Sequence, residues 1–172
     1  NTKIFLDNFS KILCGKSRPA HFKGVINVIN RFLNTIKPKF LYLGLKDFQQ
    51  LELIKSHIAK NKIKTKVMMC KTIRDKSGIA LSSRNLKLNK KQLMKAAKIY
   101  KFIKNNKKFI LYKILNKKKA EINARLIKLG AKKIDYIECV NLIKKKICKN
   151  SRTKFNVFIA YFIGNIRLID NL

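Results

Sequence analysis

The stretch "KFLYLGLKDFQQLELIKSHIAKNKIKTKVMMC", Lys39 to Cys70, decides the fold. It opens on a short apolar run that closes at Gly44 and ends in "KTKVMMC", and both ends read as strands. Between them Phe48, Leu51, Ile54 and Ile58 recur at helical spacing. Two strands joined through a helix run parallel, because that connection carries the chain back to the same end of a sheet. The stretch therefore predicts an α/β unit in which a strand's carboxyl end leads directly into a helix at "GLKD".

Outward from it toward the start, "KIFLDNF" alternates and predicts a further strand. "SRPAHFKGVINVINRFLNTI" then sets Val25, Val28, Ile29, Phe32, Leu33 and Ile36 on one helical face, and Pro38 stops that helix. Toward the end the rhythm changes after residue 75. "LNKKQLMKAAKIYKFIKN" starts at a plausible N-cap, Asn89, and places Leu93, Ala96, Ala97, Tyr100 and Ile103 on one face. A second helix is predicted to run on to Gly130. "IDYIECV" and "FNVFIAYFI" read as strands, and Gly164-Asn165 fits a two-residue hairpin turn into "IRLID". The expected architecture is a parallel α/β unit followed by an α+β unit, with the boundary between Arg74 and Gly78. No internal repeat is found, and the lysine runs at 117–119 and 144–146 read as solvated faces or loops.

At 172 residues and 47% hydrophobic the chain can bury a core. Its 42 Lys and Arg against 8 Asp and Glu give +34, the balance expected of a partner of RNA or of an anionic membrane. The counts suggest a blander cause, since 35 of the cations are Lys and 7 are Arg, alongside 24 Ile and 17 Asn. These abundant residues are the ones that adenine- and thymine-rich codons encode. A nucleic-acid surface should favour the bidentate fork of Arg, whereas solvated Lys replaces almost any surface residue at little energetic cost. The charge is therefore read as genomic drift, with no specific nucleic acid implied.

Cys14, Cys70, Cys139 and Cys148 are scattered, without a C-x-x-C pair and with only two histidines, so neither a zinc module nor a disulfide framework is indicated. Reduced thiols in the cytoplasm are expected. No apolar run is long enough to span a bilayer, and "NTKIFLDNF" lacks a signal-peptide core, so no membrane association is expected. The chain opens on Asn rather than Met, which raises the expectation of further polypeptide upstream.

The chemistry falls at two places. At the carboxyl edge of the first strand in Lys39 to Cys70, Gly44 lets a ligand approach the backbone, Lys46 offers a charge to phosphate, and Asp47 can accept from ribose hydroxyls beside a helix N-terminus. Each has an ordinary alternative: Lys46 as a solvated lysine, Asp47 as a helix cap. Gln49 and Gln50 point about a third of a turn apart, so one of them faces the Lys46 side. The second place is "SGIALSSRNLKL", Ser77 to Leu88, where Ser82, Ser83 and Arg84 suit phosphate oxygens and also suit plain capping. Arg18 and His21 sit where a loop enters a helix, Pro19 being suited to its first turn, and there His21 is equally open to a packing role.

"LCGKSRPAHFKGV", "GLKDFQQL", "TIRDKSGIALSSRNLKL" and "IRLIDNL" come in the order, and at about the spacing, of the pantothenate synthetase family, the pantoate:beta-alanine ligases. On these motifs the chain resembles that family from about Leu13 to its last residues. The resemblance implies a partial Rossmann-like nucleotide-binding domain of the nucleotidyltransferase superfamily over 1–75. A small α+β domain over 76–172 would begin with a phosphate loop and cap the site. It implies ATP-dependent condensation of pantoate with beta-alanine through a pantoyl adenylate, with release of pyrophosphate and AMP. Mg2+ would accompany ATP, and the protein would be a homodimer.

Carried over by motif, Gly44, Leu45, Lys46, Asp47, Ile73, Leu81, Ser82, Ser83 and Arg84 would line ATP, and Lys46, Ser82, Ser83 and Arg84 would stabilise its phosphates in the transition state. Gln50 would bind pantoate, Arg18 and His21 would shape the acid pocket, and no metal would be held by protein side chains.

Against the family pattern, Leu45 replaces an acidic residue, Ala20 a glycine, and Lys87 stands where an aromatic usually follows "SSRN". The family's H-x-G-H nucleotide motif and second pantoate-binding glutamine have no counterpart in these residues, so the isolated chain is expected to be inactive. Two further readings stand beside the ligase: a basic RNA-binding protein and a catalytically inactive remnant of the enzyme.

Overall fold

In the computed structural model, which describes residues 3–152 and 154–172, residues 3–9 do not form the expected strand. Residues 3–7 are tied down by side chains of a later helix: the Phe5 N–H donates to His57 Nδ1 at 3.4 Å, and Asn61 Nδ2 donates to the Lys3 carbonyl at 3.1 Å. Asp7 then accepts from the Phe9 N–H and starts a 3-10 turn, Asn8–Lys11. Alternation makes a strand only where a neighbouring strand supplies the backbone partners, and here side chains supply them.

A single helical turn, α1 (Cys14–Ser17), precedes α2 (His21–Ile36). The buried stripe of α2 is Phe22, Ile26, Asn30 and Leu33, with Val25 and Ile29 partly covered, whereas Val28, Phe32 and Ile36 are more than half exposed. This corrects the expected face. The core stripe contains a polar residue, Asn30, whose Oδ1 lies 2.6 Å from Nε2 of buried His57, so apolarity alone kept Val25, Ile29 and Leu33 but rotated the face away from Phe22, Ile26 and Asn30.

Next come β1 (Phe40–Gly44), a 3-10 turn (Leu45–Asp47), α3 (Phe48–Lys60) and β2 (Lys66–Cys70). β1 and β2 pair in parallel, from Phe40↔Lys66 to Gly44↔Cys70. Ile26 and Leu33 of α2 and Ile54 and Ile58 of α3 pack with Leu41, Leu43 and Val67 on one face of this pair. The alternate residues Phe40, Tyr42 and Met68 are exposed on the other. Such a face is ordinarily covered in a parallel sheet.

The chain divides into the units Asn1–Thr72 and Ile73–Leu172. The second opens on a hairpin bridged at Arg74↔Ala80. α4 (Lys90–Asn105) follows, started by a capping box between Asn89 and Gln92. The single helix expected up to Gly130 is two, α5 (Lys107–Leu115) and α6 (Lys119–Lys128). The break at Lys117, whose φ is 58°, carries neither Gly nor Pro and so left no mark in the sequence.

β3 (Lys133–Asn141), β4 (Lys146–Ile147), β5 (Phe155–Ile163) and β6 (Ile166–Asn171) form an antiparallel sheet in the order β4-β3-β5-β6. The Gly164-Asn165 turn is as expected, with Ile163 paired to Ile166. β4 was not: Lys146, in a run read as solvated, pairs with Asn141 as a short lysine-bearing edge strand. Ile99, Ile103, Ile122 and Leu126 from the helices meet Ile137, Val157, Ile159 and Ile163 from the sheet in one aliphatic core. No helix among the described residues is long and apolar enough to cross a membrane.

Candidate active site

β1 ends at Gly44 in extended backbone, φ −74° and ψ 136°. A Cβ placed there would meet no atom within 4 Å, so the fold itself does not need the glycine, and the space beside it is open. The turn Leu45–Asp47 then delivers the chain to α3. The Lys46 side chain is only 18% exposed, with its Nζ 3.5 Å from Asp47 Oδ2, which is not the setting of a freely solvated lysine.

Asp47 occupies the N-cap position of α3, yet its side chain makes no capping hydrogen bond. Its standing among the carboxylates is unusual. Asp7 caps a turn, and Asp75 holds its own turn through the N–H groups of Ser77 and Ile79. Hydrogen bonds from Ser77 and these N–H groups outweigh the upward push of burial and hold Asp75 below its ordinary pKa. Glu52, Glu121, Glu138, Asp135 and Asp170 pair with Lys55, Lys113, Lys119, Arg167 and Arg74. Asp47 is the remaining one of the eight, and its contact is to its own neighbour.

The two glutamines divide cleanly. Gln49 is buried, donating from Nε2 to the Phe9 and Ile12 carbonyls at 2.5 and 2.8 Å and accepting at Oε1 from the Cys14 N–H at 3.2 Å. Gln50 instead lines an open trough of about 640 Å³, together with His21, Gly24, Val25, Val28 and Ile29. The trough is apolar apart from Gln50 and His21, which suits a small branched acid carrying a few polar groups.

Arg18 Nη1 lies 3.0 Å from His21 Nε2. Because a guanidinium only donates, Nε2 is the acceptor. His21 also borders a second cavity of about 300 Å³ with Ser10, Lys11, Gly15, Arg18 and Lys23. The other histidine, His57, is enclosed, and burial holds its pKa below the ordinary value.

In the second unit, the Leu81 N–H donates to the Ile73 carbonyl at 2.9 Å, and both side chains are exposed at the mouth of the hairpin. Gly78 is required here by its backbone and by packing. Its φ is +92°, and a Cβ would stand 1.9 Å from Cε1 of Tyr100. Ser82 does act as a cap, accepting from the Arg84 N–H at 3.2 Å at the start of the 3-10 turn Ser83–Lys87. Arg84 is exposed and donates from Nη1 to the Arg167 carbonyl at 3.0 Å, and Ser83 is exposed beside it.

Three features at this loop were not found from sequence. Asn85 Nδ2 donates to the Ala80 carbonyl at 3.0 Å and anchors the loop base. Arg74 makes a bidentate pair with Asp170 at 2.6 and 2.9 Å, which offsets burial and raises its pKa. Arg167 binds Asp135. The two arginine pairs join residues 96 and 32 positions apart, so no local pattern in the sequence signalled them.

The structure thus brings together Lys46 with Asp47, Arg18 with His21, and His21 with Gln50 in the first unit. In the second it brings Ile73 to Leu81 and Ser82 to Arg84. Among the described residues no three His, Cys, Asp or Glu side chains come together as a metal site.

A family model described as Pantoate-beta-alanine ligase matches residues 1–172. The pantothenate synthetase of Flavobacterium psychrophilum is 36% identical over 160 residues, covering 92% of this chain and 57% of that protein. The one from Francisella tularensis subsp. mediasiatica is 40% identical over 162 residues, covering 94% and 54%. Among solved structures, a pantoate-beta-alanine ligase from Francisella tularensis, complexed with beta-gamma ATP and beta-alanine, superposes with a TM-score of 0.75 at 36% identity, over 98% of this chain and 56% of that one. The Thermus thermophilus protein shares the fold with a TM-score of 0.84 at 24% identity, over 99% and 62%. The chain therefore spans less than two thirds of the length of these relatives.

Proposed function

The chain belongs to the Pantoate-beta-alanine ligase family, and on that premise we propose that it supplies the phosphate-binding and pantoate-binding side chains for ATP-dependent condensation of pantoate with beta-alanine. In this reading the pantoate carboxylate attacks the α-phosphorus of ATP and pyrophosphate leaves. The amine of beta-alanine then attacks the acyl carbon of the adenylate, and AMP leaves. Neither step needs a nucleophile from the protein. What it must provide is position and charge where phosphate charge develops.

The observation that carries the reading is the state of Asp47 and Lys46. In an acid-poor chain one carboxylate stands at the carboxyl edge of a parallel strand without capping the helix it precedes, and the lysine beside it is largely covered. Asp47 is assigned to ribose hydroxyls, Lys46 to phosphate, Gly44 and Leu45 to the nucleotide's close approach, and Ile73 and Leu81 to the adenine region. Gln50 is assigned to pantoate in the trough, with Arg18 and His21 shaping its wall.

Ser82, Ser83 and Arg84 are assigned to the leaving phosphates. Arg84 leaves only a neutral carbonyl to do so, and phosphate offers its planar fork a charged, bidentate partner instead. Among the described residues no three His, Cys, Asp or Glu side chains come together to hold Mg2+, so in this reading the nucleotide's own phosphates would carry it, and no step is assigned to it. A cytoplasmic setting and a homodimer are part of the same proposal.

The test is AMP release from ATP that requires both pantoate and beta-alanine. It is run on the 172 residues alone and on a polypeptide that also carries the H-x-G-H segment of a relative. The short chain is expected to be inactive, because part of the ATP cradle lies outside these residues. In the longer polypeptide, Lys46→Ala should lower single-turnover adenylation by about 100-fold while leaving pantoate affinity nearly unchanged. Unchanged adenylation in that variant, or AMP release that ignores pantoate, overturns the assignment.

A further inference from the structure

Gln49 sits next to the trough residue Gln50 but turns inward, and all three of its hydrogen bonds go to backbone. It therefore reads no side chain and fixes only the path of residues 9–14. The grip is centred on Leu13: the amide takes the carbonyl of Ile12 on one side and the N–H of Cys14 on the other. Leu13 has φ 51° and ψ −123°, a conformation that a branched L-residue persists in only where its surroundings enforce it. Gly15, two residues on, is packed so tightly that a Cβ would lie 1.6 Å from the Ser10 carbonyl oxygen.

From this point the chain runs through α1 to Arg18, Ala20 and His21. Arg18 and His21 hold each other at 3.0 Å, and His21 faces the same trough as Gln50. Adjacent residues of one helix thus address the two sides of the trough, Gln50 directly and Gln49 through the loop that leads into the opposite wall.

We propose that Gln49 is a positioning residue, which holds Leu13 in its strained conformation and thereby sets His21, with Arg18 bonded to it, in the wall against Gln50. The proposal rests on the reading of the trough as the pantoate pocket. Only glutamine suits the task, since asparagine is shorter and glutamate lacks the donors that two carbonyls require.

The experiment is calorimetric titration of pantoate into the 172-residue chain, its Gln49→Ala and Gln49→Glu variants, and Gln50→Ala. Each is measured well below its melting temperature. A parallel measurement follows amide hydrogen exchange over residues 9–24. Gln49→Ala should weaken pantoate binding by about tenfold, short of the hundredfold that a 1 Å misplacement can cost, and should accelerate exchange at Cys14 and beyond while α3 stays protected. Gln49→Glu should bind poorly at about pH 8 and recover toward about pH 5, as the carboxyl takes up a proton and regains one donor.

A role confined to stability lowers the melting temperature and leaves both pantoate affinity and its pH profile unchanged, and that outcome overturns the proposal. Unchanged exchange in residues 9–24 overturns it as well. If the unaltered chain binds no pantoate but exchange in Gln49→Ala rises as described, the positioning role stands and the ligand assignment fails.

Discussion

The two units bury different chemistry. Between Ile73 and Leu172 the interior is mainly apolar, with Asn141 the buried polar side chain among the described residues, and Arg74–Asp170 and Arg167–Asp135 pair around it. Between Asn1 and Thr72 the apolar interior, with Ile26, Leu51, Leu53 and Ile54 fully covered, has Asn30, Gln49, Glu52, His57 and Thr65 buried beside it. Aliphatic burial stabilises without direction, whereas a buried polar group is tolerated only when its bonds are made in a fixed geometry. The first unit is therefore held by directional bonds that place loops, and its candidate ligand residues sit next to those bonds. Gln49 beside Gln50 is the clearest case.

The largest effect that separates the units is expected in the aliphatic one. Ile159 lies on the central strand β5 and is fully buried, so Ile159→Ala should lower the stability of the second unit by about 3 kcal/mol in urea unfolding. A loss below about 1 kcal/mol would mean that the site collapses around the cavity and that the core is not close-packed. Somewhat smaller is the effect of removing a charge partner. Arg74→Leu leaves Asp170 half of a bidentate pair with 11% of its side chain exposed, and should cost about 2–3 kcal/mol. Adding Asp170→Leu should recover part of that loss, and a double variant worse than the single one would contradict a role through charge compensation.

Acid sharpens the comparison further, because the two units titrate in different windows. Burial holds His57 below its ordinary pKa, so between its folded value and about 6.5 the unfolded chain binds a proton that the folded one does not. Stability of the first unit is thus complete above about pH 6.5 and declines as pH falls through that range. Asp75 in the second unit is also held below its ordinary value, but for a carboxylate this favours the charged form, so its contribution begins to be lost only as pH falls below the ordinary carboxylate value of 3.8. Hydrogen exchange recorded from pH 7 to pH 5 should show the region around Phe5, Asn30 and His57 loosening first. Equal loosening in both units would remove His57 from the explanation.

The same division explains what the sequence could disclose. The α/β tandem was legible because its apolar spacing belongs to residues that pack on each other, and Asn89 and Gly164 were legible because capping and turn chemistry are local. The first segment was misread as a strand because its partners, His57 and Asn61, lie more than fifty residues away. The buried face of α2 was only half read, Val25, Ile29 and Leu33 being covered and Val28, Phe32 and Ile36 not, because Asn30 stands in it. At the site, motif order singled out Lys46, Asp47 and Gln50, but composition alone left Lys46 a solvated lysine and could not choose between Gln49 and Gln50. That choice depended on backbone carbonyls at Phe9 and Ile12, which no pattern in the glutamines' own neighbourhood reveals.

The smallest expected change in stability tests the exposed side of the first unit. Phe32 projects from the outer stripe of α2, and Tyr42 from the bare face of the β1–β2 pair, where it is opposite Met68 in register. Both are more than half exposed, so replacing them removes little area that folding had hidden from water. Phe32→Ser and Tyr42→Ser should each change the urea midpoint by an amount equivalent to less than about 0.5 kcal/mol, against about 3 kcal/mol for Ile159→Ala, although all three delete large apolar groups. Their effect should appear between molecules instead. Exposed aromatic and methionine side chains on a helix stripe and a sheet face favour association, while a net charge of +34 opposes it at low salt and much less once screened. The unaltered chain should therefore self-associate in light scattering as salt is raised, and the two substitutions together should reduce that association. A chain that stays monomeric at high salt, or a double variant that associates as strongly as before, would show that these faces are not what joins the molecules.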